Sequence, residues 1–205
     1  MLTLYYSKGS SALAPHILLE EIGAEYSLVE KAITKGAHLE PDYLSINPKG
    51  RVPALVTPDA TITENPAILW FLGESYAEKG LLPSAPLARA KVQEINAYIC
   101  ATVHIAFAHK QRGARWSDDP VTIEGMKKKV ADNIADCAAL IEIEYLSGPY
   151  ALGERYSICD PYLFLVPRWM AANDVALTNY PKLERHYTMM LDRDATQRAL
   201  AAQGL

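Results

Sequence analysis

The sequence predicts an α/β domain followed by an all-helical domain, because the pattern of the chain changes once, near residue 80. Before that point, short apolar runs alternate with helix-like stretches. This alternation is typical of βαβ units and of a sheet that is at least partly parallel. After it, long stretches without internal proline carry apolar residues at three- and four-residue spacing, as in Ile95, Ile99 and Val103. That spacing is typical of amphipathic helices.

Four strands and two helices are predicted in the first part of the chain. The strands are predicted at 2–6, 26–30, 52–56 and 61–63, and the helices at 12–23 and 66–77. Gly23 stands at the end of the first helix, where glycine is favoured because it readily adopts the left-handed conformation.

The segment EKGLLPSAPLA, residues 78–88, contains one glycine and two prolines, which break any regular pattern. We therefore expect a first domain at 1–78, a linker at 79–88 and a helical domain at 89–205. Long helices are predicted at 87–112 and 120–146, and shorter ones near 158–173, 181–192 and 194–202.

Composition restricts the function classes. The 205 residues carry a net charge of −4, which argues against a nucleic-acid partner, since such binding depends on clustered Lys and Arg. No apolar run approaches the roughly 20 residues that span a bilayer, and no secretory signal is visible. We therefore expect a cytoplasmic protein without membrane contact. The three cysteines form neither a CxxC pair nor a zinc knuckle, so no metal site is expected.

Four motifs, taken together and in order, resemble those of one family. They are LYYSKGSSALAPHILLEE (4–21), INPKGRVPAL (46–55), TITENPAIL (61–69) and GERYSICDPYLF (153–164). The chain is similar to the glutathione S-transferases, and is closest to the bacterial beta class. The resemblance implies a thioredoxin-like N-terminal domain that holds glutathione, a helical domain that supplies most of the second-substrate pocket, and a homodimer.

Glutathione carries two carboxylates, one ammonium and a thiol, so its site needs cations, an anion and backbone hydrogen bonds. The resemblance implies that the Val52–Pro53 bond is cis and that it exposes the backbone of Val52 to the cysteinyl part of glutathione. The alternative is an ordinary trans proline at the start of a strand. Lys35 and Arg51 match positions near the glycyl and cysteinyl parts, where either cation can pair with a carboxylate. The alternative for Lys35 is a solvated surface lysine.

Glu64 and Asn65 precede the helix that opens at Pro66. A helix start gathers free N–H groups and attracts a carboxylate, while the Glu64 side chain can pair with an ammonium. Together they suit the γ-glutamyl end of glutathione. The family more often has Ser or Gly at the position of Asn65, although Asn also caps helices and donates hydrogen bonds. A simple N-cap at Asn65 is the alternative.

Ser11 falls where beta-class proteins carry a catalytic cysteine, and Ser10 precedes it. A serine cannot form a mixed disulfide with glutathione, so thiol exchange at this residue is excluded. A hydroxyl that donates to a thiolate contributes about 1.5–3 kcal/mol, which lowers a thiol pKa of about 8.5 by one to two units. We therefore expect Ser11 to stabilise the thiolate. The alternative is that Ser11 only caps the following helix.

Two further residues are candidates for the reaction centre. Tyr6 offers a second hydroxyl, although it shares a strand face with Leu2 and Leu4, and its alternative role is packing. His104 matches a histidine that beta-class enzymes place near the thiol. It is predicted to share a helical stripe with Ala97, Ala101 and Ala108, which leaves room either for a ligand or for another helix. 

For the second substrate, we expect Phe107, Arg112 and Trp169 to line a pocket; the alternative for the aromatic residues is the core of the helical domain. Asp160 is predicted to be structural, because Ser157 and Asp160 have the spacing of a capping box. The sequence thus predicts a detoxifying transferase that joins the glutathione thiolate, as co-substrate, to small apolar electrophiles. The alternatives are a glutathione-dependent peroxidase or isomerase, and a non-catalytic binding or regulatory protein on the same scaffold.

Overall fold

A four-stranded mixed sheet organises the N-terminal part of the structure, a computed structural model that describes residues 1–205. Strand β1 (Leu2–Tyr6) pairs in parallel with β2 (Tyr26–Glu30) and antiparallel with β3 (Ala54–Val56), which pairs antiparallel with β4 (Thr61–Thr63). The strand order is β2-β1-β3-β4. Strand β3 begins later than predicted because Pro53 has no N–H to donate to a ladder.

The helices are α1 (Leu13–Ile22), α2 (Pro41–Ile46), α3 (Asn65–Ser75), α4 (Pro86–Tyr98), α5 (His104–Arg112), α6 (Pro120–Leu140), α7 (Asp160–Leu163), α8 (Leu165–Ala171), α9 (Pro181–Leu191) and α10 (Asp194–Gln203). Apart from α2, which was not predicted from the sequence, they follow the predicted order. With the mixed sheet, these helices confirm the predicted fold class, a thioredoxin-like domain plus a helical domain. None of them combines the length and the apolar composition that a membrane-spanning helix requires.

The chain forms two compact units. One contains Met1–Arg89 together with Met190–Leu205, and the other contains Ala90–Met189. The first unit holds the sheet with α1, α2, α3 and α10, and the second is helical. The domain boundaries at 78 and 89 stay a prediction from the sequence.

The core of the first unit lies between the sheet and its helices. Leu4 of β1 and Leu55 of β3 are partners in register, and both are fully buried. Helix α1 packs against α3 and α10, with Ile17 and Leu69 fully buried on α1 and α3. Burial of each such side chain stabilises the fold by about 1.5–3 kcal/mol. Gly23 ends α1 in the left-handed conformation, with φ of 69°, as predicted.

A π-helical turn at Ile99–Val103 interrupts the helix predicted at 87–112. Such a turn holds more residues than an α-turn, so it rotates the following face away from the 3.6-residue pattern. The predicted stripe is therefore not one face: Ala97 and Ala101 are exposed, His104 is half-buried and Ala108 is buried.

Asp160, at the start of α7, is a fully buried centre of hydrogen bonds in the second unit. Its Oδ1 accepts from the Ala151 N–H at 2.8 Å and from His186 Nε2 at 3.1 Å. Its Oδ2 accepts from the Ser157 N–H at 2.7 Å and from Ser157 Oγ at 3.0 Å. Only half of the predicted capping box forms, because the Asp160 N–H is already bonded to the Ser157 carbonyl oxygen. The Ser157 hydroxyl instead accepts from the Cys159 N–H at 3.3 Å.

Replacing Asp160 with Ala should lower the free energy of unfolding by about 3 kcal/mol or more, because several buried donors lose their acceptor at about 1–3 kcal/mol each. Ser157→Ala should lower it by only about 1 kcal/mol, since one hydroxyl is lost. Urea unfolding of the two variants measures the difference. Equal losses would show that the Asp160 carboxylate is not the centre of this network.

Candidate functional site

The loop between β1 and α1 carries the two candidate serines. The Ser10 hydroxyl accepts a hydrogen bond from the Ala12 N–H at 3.3 Å. The Ser11 side chain is 7% exposed and makes no hydrogen bond within the protein. Ala12 is the N-cap of α1, and no side chain caps that helix. The Ser11 hydroxyl is thus not engaged as a helix cap, and its catalytic role stays a prediction.

Asn65, the first residue of α3, holds the backbone of the serine loop. Its Nδ2 donates to the Ser11 carbonyl oxygen at 3.1 Å, and the side chain is 4% exposed. The Oδ1 of Asn65 is buried without a hydrogen-bond partner. A buried unpaired acceptor costs about 1–3 kcal/mol, so this atom favours a ligand that brings an N–H or O–H donor.

Glu64 precedes α3 in an unusual backbone conformation, with φ of 71°. Positive φ at a residue other than glycine is strained and is found most often at functional sites. Its carboxylate is half-exposed and accepts from Lys49 Nζ at 2.6 Å, which also donates to Thr63 Oγ1 at 2.7 Å. Lys49 is not among the site residues predicted from the sequence, although it lies inside the INPKGRVPAL motif, two residues before Arg51.

The loop before β3 contains the Val52–Pro53 bond, which is cis. Neither the N–H nor the C=O of Val52 makes a hydrogen bond within the protein, so both are available to a ligand. The neighbouring Arg51 carbonyl oxygen accepts from Tyr43 Oη and from Asn47 Nδ2, both at 2.6 Å. These two bonds fix the loop from the side of α2.

Gly50 is required in the same loop. Its φ is 57°, and a Cβ there would lie 2.8 Å from Leu39 Cδ2 and 3.3 Å from the His38 carbonyl oxygen. The loop can therefore pass this close to residues 38 and 39 only with a glycine.

The cations Lys35 and Arg51 are both exposed, and neither side chain is in an ion pair. The segment that carries Lys35 is bonded to the end of β1. The Ile33 N–H donates to Ser7 Oγ at 3.1 Å, and the Lys31 N–H donates to the Tyr6 carbonyl oxygen at 2.6 Å. Ser7 thus positions a segment of the candidate site, although the sequence analysis gave it no role.

Tyr6 is a buried residue at the end of β1, with 9% exposure. Burial, and next the nearby Glu30 carboxylate, raise the pKa of its phenol. Its ring lies 6.5 Å from the ring of His16. These contacts match the packing alternative for Tyr6, and they keep the hydroxyl protonated.

A buried hydrogen-bond chain ties the serine loop to α10. The Gly9 N–H donates to Gln203 Oε1 at 3.4 Å, and Gln203 Nε2 donates to His16 Nδ1 at 2.9 Å. Because Nδ1 accepts, His16 Nε2 carries the proton and donates to Tyr26 Oη at 2.8 Å. Tyr26 in turn donates to Glu20. The loop is therefore held on one side by this chain and on the other by Asn65.

His104, Phe107, Arg112 and Trp169 lie together in the second unit. The ring of Trp169, on α8, stacks on His104 at 4.8 Å and on Phe107 at 5.4 Å between centroids. We call these three rings the aromatic shelf. Arg112 Nη2 lies 3.1 Å from His104 Nε2. Trp169 is buried, whereas His104, Phe107 and Arg112 are half-buried.

His104 Nε2 is the acceptor in its contact with Arg112. An arginine N–H can only donate, so His104 Nε2 accepts and the proton is on Nδ1. Nδ1 lies 3.5 Å from Tyr162 Oη. Both ring nitrogens of His104 are thus directed by neighbours within the second unit.

The mixed sheet with a cis-proline loop and the helical second part define the class: a thioredoxin-like domain joined to an all-helical one. Comparison with known proteins identifies the family within that class. Residues 1–74 match the model of the glutathione S-transferase N-terminal domain. The chain is 34% identical, over 98% of both chains, to glutathione S-transferase GstA of Escherichia coli O157:H7. The chain belongs to the glutathione S-transferase family, which confirms the resemblance.

Two further relatives bear on the site. A glutathione transferase homologue from Sulfitobacter, solved with bound glutathione, is 37% identical and superposes with a TM-score of 0.97 over 100% of this chain and 99% of that one. A maleylacetoacetate isomerase of Pseudomonas aeruginosa is 29% identical over 88% of this chain and 86% of its own.

The pKa of His16 predicts a pH dependence of stability. Burial lowers this pKa to about 4 from the ordinary 6.5, partly offset by the Glu20 carboxylate. Between these values the unfolded chain binds a proton that the folded protein does not, so the free energy of unfolding falls as the pH falls. The loss at pH 5 relative to pH 7 is about 2 kcal/mol.

The measurement is urea unfolding at pH 7 and pH 5 of the wild type and of His16→Gln, whose amide does not titrate. The wild type should lose more stability than the variant between the two pH values. Identical losses would show that the titration of His16 does not contribute.

Proposed function

We propose that this protein conjugates glutathione to small apolar electrophiles and that the Ser11 hydroxyl stabilises the glutathione thiolate. The observation that carries the proposal is a nearly buried hydroxyl with no partner in the protein, in a loop whose backbone is fixed on both sides. A hydroxyl in that state is free to donate to a ligand without losing an existing bond.

The proposed glutathione contacts follow from the free groups of the first unit. The unpaired N–H and C=O of Val52 bind the backbone of the cysteinyl residue. At the γ-glutamyl end, the orphaned Oδ1 of Asn65 accepts from an N–H of the ligand, and the Glu64 carboxylate attracts its ammonium. The exposed cations Lys35 and Arg51 pair with a carboxylate. Without a ligand, the Glu64 carboxylate is paired with Lys49, and the ammonium of glutathione would compete for it.

Thiolate stabilisation is sufficient for the chemistry. A thiol of pKa about 8.5 is only a few per cent ionised at neutral pH. A charge-assisted hydrogen bond of about 1.5–3 kcal/mol lowers that pKa by one to two units, because about 1.4 kcal/mol corresponds to one unit. The positive end of α1 adds to this effect. The thiolate then forms a C–S bond at the electrophilic carbon, and the leaving group departs with its electron pair.

The aromatic shelf is proposed as the binding surface for the second substrate. Stacked rings bind a planar apolar molecule through a large contact area. We also propose a homodimer, as the family resemblance implies, and the cytoplasmic location that is expected from the sequence.

An isomerase is the second candidate. It is favoured by the similarity over most of the chain to a protein named maleylacetoacetate isomerase. In that reaction the thiolate would add to a conjugated carbon and leave again, so that no conjugate accumulates. Product analysis by mass spectrometry separates the candidates, since only the transferase yields a stable thioether. Retention on immobilised glutathione without any turnover would favour a non-catalytic binding protein instead.

Ser11→Ala should lower the turnover of 1-chloro-2,4-dinitrobenzene with glutathione at least tenfold, because one pKa unit of thiolate stabilisation is lost. The thiolate absorbance of the enzyme–glutathione complex, followed against pH, should show a raised thiol pKa in the variant. Retention on immobilised glutathione should persist, since the other contacts remain.

Ser27→Ala is the matched control, because the Ser27 hydroxyl makes only a weak 3.9 Å contact with Met1 Sδ. Ser10→Ala, measured alongside, separates the two adjacent hydroxyls. Unchanged turnover and thiol pKa in Ser11→Ala would refute the proposed role of Ser11.

A further inference from the structure

The hydrogen-bond chain between the serine loop and α10 lies within the first unit, and one of its ends can only donate. The Gly9 N–H has no acceptor capacity, so the Gln203 atom that faces it is the carbonyl oxygen Oε1, and the amide nitrogen Nε2 faces His16. His16 donates in turn to Tyr26, and Tyr26 donates to Glu20. Every donor in the chain thus points away from the serine loop. Hydrogen bonds that run in one direction polarise and strengthen one another.

The other end of the chain can only accept. Arg198 Nε donates to Glu20 Oε2 at 2.6 Å, and its Nη2 donates to the Glu20 carbonyl oxygen at 3.1 Å. Burial alone would raise the pKa of the Glu20 carboxyl, but the hydrogen bonds from Tyr26 and Arg198 together lower it below its ordinary value. Glu20 is therefore an anion at neutral pH, and an anionic carboxylate has no proton to donate. Because one end only donates and the other only accepts, the direction of the chain cannot reverse.

His16 transmits this direction to the Gln203 amide. Its side chain is fully buried, and burial, partly offset by the Glu20 carboxylate, lowers its pKa to about 4, so the ring is neutral at neutral pH. With the proton on Nε2, the lone pair of Nδ1 can only accept. A reversed Gln203 amide would place its oxygen against that lone pair and its NH2 group against the Gly9 N–H. Both contacts would be repulsive, so the amide has a single allowed orientation.

The end of α10 lies directly against the turn at Lys8 and Gly9. A Cβ on Gly9 would lie 3.8 Å from Leu205 Cδ2, and a Cβ on Gly204 would lie 3.2 Å from Lys8 Nζ. Gln203 is 4% exposed, whereas Lys8 and Gly9 are both exposed. An exposed turn has little side-chain packing to hold it, so its position depends on its hydrogen bonds.

Gly9 lies two residues before Ser11, in the same turn. The next N–H, that of Ser10, donates to the Ser7 carbonyl oxygen at 3.0 Å. On the far side, Asn65 Nδ2 holds the Ser11 carbonyl oxygen. Because both ends of this short segment are bonded to other parts of the first unit, the backbone at Ser11 has a fixed direction. A displacement of Gly9 would rotate the segment and redirect the Ser11 hydroxyl.

We propose that Gln203 is a positioning residue for the Ser11 hydroxyl, and that His16 holds the Gln203 amide in the one orientation that binds the Gly9 N–H. The inference rests on the proposed function, in which Ser11 donates to the glutathione thiolate. It adds that a helix remote in sequence, α10, sets the direction of that donation. Neither Gln203 nor His16 contacts glutathione, since both act through the backbone of the serine loop.

The thiol pKa of bound glutathione tests this role. Gln203→Leu removes both hydrogen bonds of the amide and keeps a side chain of similar size. The thiolate absorbance of the enzyme–glutathione complex should give a thiol pKa about half a unit to one unit above that of the wild type, with kcat for 1-chloro-2,4-dinitrobenzene lowered about three- to tenfold. KM for glutathione should stay nearly unchanged, because the groups proposed to bind the tripeptide are untouched. An unchanged thiol pKa would overturn the inference.

A double-mutant cycle shows whether Gln203 acts through Ser11. In Ser11→Ala no hydroxyl remains to be positioned, so the addition of Gln203→Leu should raise the thiol pKa no further. If Gln203 acted by another route, the two shifts in thiol pKa would add. That result would contradict the proposed role.

Gln203→Glu is the conservative variant, and it also serves if Gln203→Leu does not fold. Its carboxylate can still accept from the Gly9 N–H, and His16 can carry a proton on Nδ1 and donate to it. The thiol pKa with this variant should lie nearer to that of the wild type than to that of Ser11→Ala. A thiol pKa equal to that of Ser11→Ala would count against the inference decisively.

Ala199→Gly is the matched control for the stability of α10. Ala199 is fully buried on that helix, and glycine is a poor helix former, so the helix is weakened while every bond of the chain remains. The thiol pKa should equal that of the wild type. A shift as large as that of Gln203→Leu would show that any loosening of α10 has the same effect, and the specific role of Gln203 would be lost.

Amide hydrogen exchange separates this inference from the proposed function. Measured by NMR, the Gly9 N–H should exchange about tenfold faster in Gln203→Leu than in the wild type, and about as slowly as in the wild type in Gln203→Glu. Equal exchange in the wild type and Gln203→Leu would overturn the inference, whatever the activity. An unchanged thiol pKa in Ser11→Ala would instead refute the proposed function, while the exchange of Gly9 would still report whether Gln203 holds the loop.

Discussion

A single buried hydrogen bond, from Asn65 Nδ2 to the Ser11 carbonyl oxygen, joins the two segments on which the candidate site depends. It links the loop after β1 to the first residue of α3, 54 positions later in the chain. The bond fixes the backbone of Ser11 while its hydroxyl keeps no partner. It also leaves Asn65 Oδ1 buried and unpaired. A serine that caps its own helix uses its hydroxyl to bond a backbone N–H. Because the Ser11 backbone is held by Asn65 and its hydroxyl makes no such bond, the hydroxyl is able to contact a ligand.

Elsewhere in the first unit, too, one set of groups fixes the backbone and another set is left to contact a ligand. Backbone positions are fixed by buried residues, as when Gln203 holds Gly9 and when Tyr43 and Asn47 hold the Arg51 carbonyl. The groups proposed to meet glutathione stay free or exposed. In the second unit, Asp160 has a comparable structural role. Its one buried carboxylate joins α7, α9 and the loop before α7. A search for catalytic carboxylates could select Asp160, although its hydrogen bonds to Ala151, Ser157 and His186 account for its burial.

Much of the fold could be predicted because its signals are local. Apolar runs of strand length and Gly23 at the end of α1 depend on neighbours within a few residues. The predicted stripe of Ala97, Ala101, His104 and Ala108 was wrong because a π turn at Ile99–Val103 changes the helical phase. No local residue pattern indicates that turn. Similarly, the spacing of Ser157 and Asp160 indicated a capping box. The structure instead uses the Asp160 carboxylate to bind Ala151 and His186, which are remote in sequence.

The sequence by itself determined the class of the two parts of the chain, the order of most of the elements and the family, because apolar spacing and four ordered motifs can be recognised without any knowledge of contacts. It did not predict helix α2. Only the tertiary structure decided which polar groups are free. It left the Ser11 hydroxyl unbonded, paired Glu64 with Lys49 and turned Arg112 back onto His104. The physical reason is that a polar side chain's availability depends on whether some distant donor or acceptor reaches it, and packing alone sets that distance.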